Sequence, residues 1–199
     1  MRAFATDYND RAIDSGKPVP QELFHARDIP LSEQALLDPN ESPHPRMKPF
    51  VFYEDDRVKV SATLVAHAPV FPALAFRFDT DDGSVVFSGD TGPSENLIRM
   101  ARGADILVHE VIAPEGAAQR YPEPRSPEDE AAYQHLLTSH TSVDVVGSIA
   151  QRAGVPTLVL THFVPAGWPL ERWRDAQKGY DGRVIVGADL DEIGLDANR

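Results

Sequence analysis

From residue 50 onward, β-branched and aromatic runs alternate with helix-capping signals, and this alternation restricts the chain to a mixed α/β fold. VFYEDD, RVKVSATLVAH, ALAFRFDT and SVVFSGD read as consecutive strands, the last two joined by the turn signal DDG at 81–83. A helix opened by Pro93 and Ser94 and closed by Gly103 then leads into the strand DILVH. Ser126 and Pro127, with Asp129 three residues past the cap, open a second helix. Thr141 or Ser142 opens a third, with Asp144 completing a Thr-x-x-Asp capping box, and Gly154, Val155 and Pro156 end it before the strand TLVLTH. A helix over 168–179 and the strands RVIVGA and EIGL finish the pattern.

Residues 1–49 have a different texture. Phe4, Tyr8 and Ala12 recur at helical spacing, an irregular stretch follows around QELFHARDIP, and 38–49 holds four prolines with almost no apolar periodicity. The expected organisation is therefore an N-terminal helical and irregular segment with a Pro-rich linker over 1–49, and one α/β domain over 50–199. A length of 199 residues with 42% hydrophobic content suits one core.

Composition narrows the chemistry. No apolar run is long enough to span a bilayer and the first residues lack a secretory h-region, so the chain reads as soluble and, by default, cytoplasmic. It has no cysteine, so any metal must be held by His, Asp or Glu. A formal charge of −12 argues against nucleic acid as a ligand, because such binding draws on Lys and Arg neutralising phosphates. A small-molecule substrate is expected instead, with Arg120, Arg125, Arg172 and Arg174 as the material for any local basic patch.

Three apolar strands end alike: VVFSG leads to Asp90, DILV to His109 and Glu110, and TLVLT to His162. If they lie parallel, these side chains emerge along one sheet edge, where α/β folds place their sites. His67 closes another strand, and His140 stands immediately before a helix start. The alternatives remain open at this level: Asp90 as ordinary turn chemistry, the histidines as satisfied interior residues, Glu110 as a buried partner of an arginine. His25, His44 and His135 read as surface or packing residues, and 113–125 reads as a connecting or substrate-facing loop.

The ordered set SVVFSGDT, ADILVHE, SHTSVDVVGSIAQRAGV and TLVLTHF resembles the second half of the metallo-β-lactamase superfamily, especially its ribonuclease Z-like members, over roughly 50–195. The resemblance implies the second half of a four-layer αβ/βα sandwich. It also implies a metal-dependent hydrolase whose complete form uses two zinc ions and a bridging hydroxide against an ester-type or phosphodiester bond. Carried over, His67, Asp90 and His162 resemble metal ligands and His140 a catalytic histidine. His109 and Glu110 match a His-Glu pair beside the metals.

The sequence departs from the family in one respect: it contains no H-x-H-x-D-H string, the family's other ligand cluster. The expectation is of a half-built metal site and an apolar sheet face left open, resolved by a longer enzyme, by a partner chain or homodimer, or by a non-catalytic interaction module. A ribonuclease Z-like RNA endonuclease is the alternative enzyme reading.

Overall fold

The computed structural model describes residues 5–194 and divides into two units, Met1–Leu31 and Ser32–Arg199. In the first, α1 (Ala5–Asp14) buries Ala12 and pairs Arg11 with Asp7 one turn away at 3.1 Å, and α2 (Pro20–Leu23) follows. Phe4, which begins the expected helical repeat, lies outside the described residues.

The second unit opens with α3 (Glu33–Leu36), capped by Ser32, whose hydroxyl accepts from Ala35 N–H at 3.3 Å. The Pro-rich stretch that follows is fastened to this unit. Asn96 donates to Pro45 O at 2.9 Å and accepts from Met47 N–H at 3.1 Å, while Arg99 donates to Met47 O at 2.6 Å. Residues 32–49 thus travel with the sheet, and the division between units falls at Leu31 and Ser32, not at 49–50.

Seven strands form one mixed sheet in sequence order: β1 (Phe50–Glu54), β2 (Lys59–Leu64), β3 (Leu74–Thr80), β4 (Gly83–Phe87), β5 (Ile106–Ile112), β6 (Thr157–Val164) and β7 (Arg183–Val186). The first four are an antiparallel meander; β4 through β7 are parallel. The crossovers carry α4 (Glu95–Ala101), then α5 (Pro114–Arg120), α6 (Pro127–Ser139) and α7 (Val143–Ala153), and finally α8 (Leu170–Trp173) with a 3₁₀ turn, Arg174–Gln177. Alternation along the strands sends Val86, Leu107, Leu158 and Leu160 into one core with Leu97 and Met100 of α4 and Val146 and Ile149 of α7. Each fully buried Val, Leu or Ile contributes about 1.5–3 kcal/mol. Gly147 lets α7 approach the 3₁₀ turn, since a Cβ there would stand 2.1 Å from Ala176 O. The opposite face carries Phe76, Phe78 and Phe87; Phe78 and Phe87 meet edge to face at 5.8 Å, and Phe87 stays 43% exposed.

Four local expectations change. Residues 114–120, expected to be irregular, form α5 because Pro114 sits in its first turn, where a missing N–H costs nothing. The single helix expected over 168–179 breaks into α8 and the 3₁₀ turn. Ser142, not Thr141, caps α7: its hydroxyl accepts from Asp144 N–H at 3.2 Å, while the Thr141 hydroxyl donates to Thr91 O at 2.7 Å. Glu192, Ile193 and Gly194 do not form the expected last strand, whose Leu195 lies outside the described residues.

Two of the arginines offered as a basic patch are internal ties. Arg172 bonds carboxylates from three elements, Glu115 of α5, Asp144 of α7 at 2.6 Å and Asp175 of the 3₁₀ turn at 2.8 Å. Hydrogen bonds from this guanidinium hold the Glu115 and Asp144 carboxyls below their ordinary range. Arg125 pairs with Glu123 and with Glu130 at 3.1 Å and lies 3.7 Å over the Tyr133 ring. Among the described residues, no helix is long and apolar enough to cross a membrane.

Candidate metal centre

Because β4, β5 and β6 run parallel, their C-terminal ends share one edge, and that edge holds most of the residues singled out from sequence. His67, Asp90 and His140 can each offer a ligand atom with all three atoms inside 4.8 Å of one another. Glu110, His140 and His162 do the same. The His140 and His162 rings stack with centroids 5.8 Å apart, and His162 Nδ1 lies 3.6 Å from Asp90 Oδ1. The His67 and His140 rings meet edge to face at 5.4 Å.

Two backbone devices aim these groups. β6 carries a bulge against β5: Glu110 pairs with Thr161 and Val111 with Phe163, so His162 is the extra residue, with φ of 44°. A histidine in the left-handed region is strained, and bulges commonly redirect a side chain beside a site. Ahead of Asp90, Gly89 has φ of 60°, and a Cβ there would stand 2.5 Å from Leu74 O. Gly89→Ala is expected to lower the unfolding free energy by at least about 2 kcal/mol, through left-handed strain plus a clash with backbone, as read by urea denaturation.

Glu110 organises the centre from beneath. It is 1% exposed, and its Oε1 accepts from Thr141 N–H at 2.8 Å and from Thr91 N–H at 3.3 Å. Its Oε2 lies 3.2 Å from His140 Nδ1. With the acceptor role fixed on the carboxylate, His140 carries a proton on Nδ1 and has Nε2 free. Burial, the largest single influence, pulls the His140 pKa down, but the hydrogen bond and charge of Glu110 and the charge of Asp90 together outweigh it and leave it raised. The buried Thr91 braces the same loops, its hydroxyl accepting from Ala66 N–H at 3.0 Å and donating to Gly92 O at 2.7 Å.

His109 does not join either group. Successive strand residues point to opposite faces, so its ring is buried away from Glu110's carboxylate. Its Nδ1 lies 2.7 Å from the Glu110 carbonyl oxygen, and burial lowers its pKa, so it is the neutral Nδ1–H form. His135, set aside on the sequence as surface or packing, stands beside the centre instead: its ring is 5.3 Å from that of His67 and 6.4 Å from that of His140. Ser139 donates to Ala68 O at 2.7 Å and lies 3.1 Å from His135 Nδ1, so that nitrogen is the donor. Burial, then the charges of His67 and His140, lower the His135 pKa. Its i, i+4 relation to Ser139, which immediately precedes His140, is the signal that could have revealed it.

A mixed sheet whose parallel strand ends collect imidazoles and carboxylates defines an α/β protein with a candidate metal centre of nitrogen and oxygen donors. Comparison with solved structures gives the fold. The metallo-β-lactamase fold protein YhfI from Bacillus subtilis matches with a TM-score of 0.52 and 21% identity, over 69% of this chain and 48% of that one. Human tRNase Z, short form, matches with a TM-score of 0.50 and 17% identity, over 74% and 46%. Among curated proteins, the ribonuclease Z of Mycobacterium tuberculosis strain H37Rv is 38% identical over 150 residues, covering 74% of this chain and 52% of the relative. That of Mycobacterium avium strain 104 is 38% identical over 148 residues, covering 73% and 50%. No family model matches. The chain belongs to the ribonuclease Z-like branch of the metallo-β-lactamase superfamily, and it spans about half the length of these curated relatives.

These relatives overturn one expectation. Net charge argued for a small-molecule substrate and against nucleic acid, whereas the relatives are named as ribonucleases. The error lay in treating an average surface charge as if it described the surface at the site.

Proposed function

We infer that this chain supplies part of the active centre of a metal-dependent phosphodiesterase acting on RNA. The observation that carries the reading is the meeting of His67, Asp90, His140 and His162 on one edge above a buried Glu110. The residues fit a metal: the donors are all nitrogen or oxygen, and His67 Nδ1 is buried with no hydrogen-bond partner. His67, Asp90 and His162 would hold zinc, which supplies Lewis acidity and lowers the pKa of water. The RNA substrate follows from the ribonuclease Z relatives.

The chain's own residues then have distinct tasks. Glu110 fixes the tautomer and orientation of His140. With Nδ1–H held by Glu110, His140 presents Nε2 to the site, and the hydrogen bond and charge of Glu110, which raise its pKa against burial, favour a second proton there, suited to delivery to the departing ribose oxygen. Asp90 is half exposed and lies beside His162, so its carboxylate is open to help hold a bound ion.

Elemental analysis tests the reading. Three ligating side chains cannot satisfy two zinc ions, so the 199-residue chain is expected to bind at most about one, and the same residues joined to an H-x-H-x-D-H-bearing segment about two, with cleavage of precursor transfer RNA. Two ions on the 199-residue chain would overturn the ligand assignment. No zinc and no cleavage in the joined form would leave a non-catalytic interaction module.

A further inference from the structure

If the substrate is RNA, a chain of net charge −12 needs somewhere to receive phosphates, and the arginines conspicuous in the sequence do not offer it. Arg172 and Arg125 are already held by carboxylates. A different set is free. A hollow of about 370 Å³ is lined by His44, Arg46, Asn96 and Arg99, together with Glu95. Arg46 is exposed, as is Lys48 two positions along, and neither has an ion-pair partner among the described residues. Among the described residues, Arg99 donates only to neutral acceptors, Met47 O at 2.6 Å and Asn96 Oδ1 at 3.0 Å. That leaves its charge uncompensated. Glu95, the acidic residue of the lining, pairs with Arg152 at 2.6 Å.

The segment bearing these cations is fixed in place. Asn96 bonds Pro45 and Met47, and also donates to Leu64 O at 3.0 Å at the end of β2, three residues before His67. The wall formed by Pro93 and Ser94 begins three residues after Asp90. The hollow is therefore tied to the same sheet edge as the metal centre but uses none of its ligands.

We propose that this hollow is a phosphate-binding site for the RNA strand, with Arg46, Arg99 and Lys48 neutralising backbone phosphates that lie away from the cleaved bond. The proposal rests on the RNA reading given above. Contacts of this kind position a strand without reading its bases.

The test measures binding without cleavage. A labelled single-stranded RNA of about 12 nucleotides is titrated with the 199-residue protein in chelator, at salt between about 50 and 200 mM. The charge-reversed variant R46E/K48E is compared with R57E/K59E, which makes the same charge change at the opposite end of β2. Arg46→Glu with Lys48→Glu is expected to weaken binding about tenfold or more. It should also flatten the dependence of log affinity on log salt by about 1.4, from two single-strand contacts at about 0.7 each. The control pair should move affinity less than about threefold, as distant exposed charges are largely screened. Equal losses in the two variants, or none in the first, would overturn the proposal. Binding of inorganic phosphate by the wild type without affinity for RNA would overturn the RNA assignment. A wild type with affinity for neither RNA nor inorganic phosphate would sink both this site and the substrate reading. RNA binding weakened by R46E/K48E, together with a complete enzyme that cleaves no RNA, would uphold the site and reject only the phosphodiesterase.

Discussion

Glu110→Ala is expected to lower the unfolding free energy by about 3–5 kcal/mol. Three groups depend on this carboxylate, the N–H groups of Thr91 and Thr141 and the imidazole of His140, and all are buried. Leaving a buried donor unpaired costs about 1–3 kcal/mol, and breaking a buried charge pair by removing one partner about 3–5. Glu110→Gln separates structure from chemistry. Its carbonyl oxygen can still accept from the two backbone N–H groups, but its NH₂ now faces His140 Nδ1 and demands the opposite tautomer. Chemical denaturation should therefore show a loss of only about 1–2 kcal/mol, while any turnover depending on His140 falls as severely as in the alanine variant. Equal destabilisation by both substitutions would mean that Glu110 acts through its charge and not through the two backbone bonds.

The second large effect is on turnover. In a polypeptide carrying both ligand clusters, His140→Ala should reduce kcat for precursor transfer RNA by about 10²–10⁴, the range a positioned acid or base contributes. Zinc content should stay unchanged. His140 belongs to both groups of converging ligand atoms, so the metal measurement decides between two roles that geometry brings close together. Loss of one zinc with the loss of rate would make His140 a ligand. Unchanged zinc and unchanged rate would remove it from the chemistry.

The strand ends were legible because their signals are local. A β-branched run ending in Ser-Gly-Asp, His-Glu or Thr-His needs no distant information, and the capped helices between the runs make the strands parallel. His67 and His140 were legible in the same way, as a strand end and a helix boundary. His135 was not, because its neighbours His67 and Ala68 lie far away in sequence and reach it only through folding. His109 shows the opposite limit: adjacency to Glu110 in sequence suggests a shared site, yet the alternation of a strand turns the two side chains apart.

Charge was the least legible property. Arg125 and Arg172 look like surface cations in the sequence, but Arg125 is paired by its near neighbours Glu123 and Glu130, and Arg172 by carboxylates that α5, α7 and the 3₁₀ turn bring to it. Arg46 and Arg99 gave no signal, since what joins them is a bridge of hydrogen bonds through Asn96 and Met47. Sequence alone determined the α/β alternation, the helix caps and the metal-type residues at strand ends, because those follow from backbone propensity and periodicity over a few residues. Only the tertiary structure decided which imidazoles converge, which tautomer His140 takes and which cations stay free, because ligand geometry and charge compensation depend on groups that the chain brings together across 30 to 71 residues.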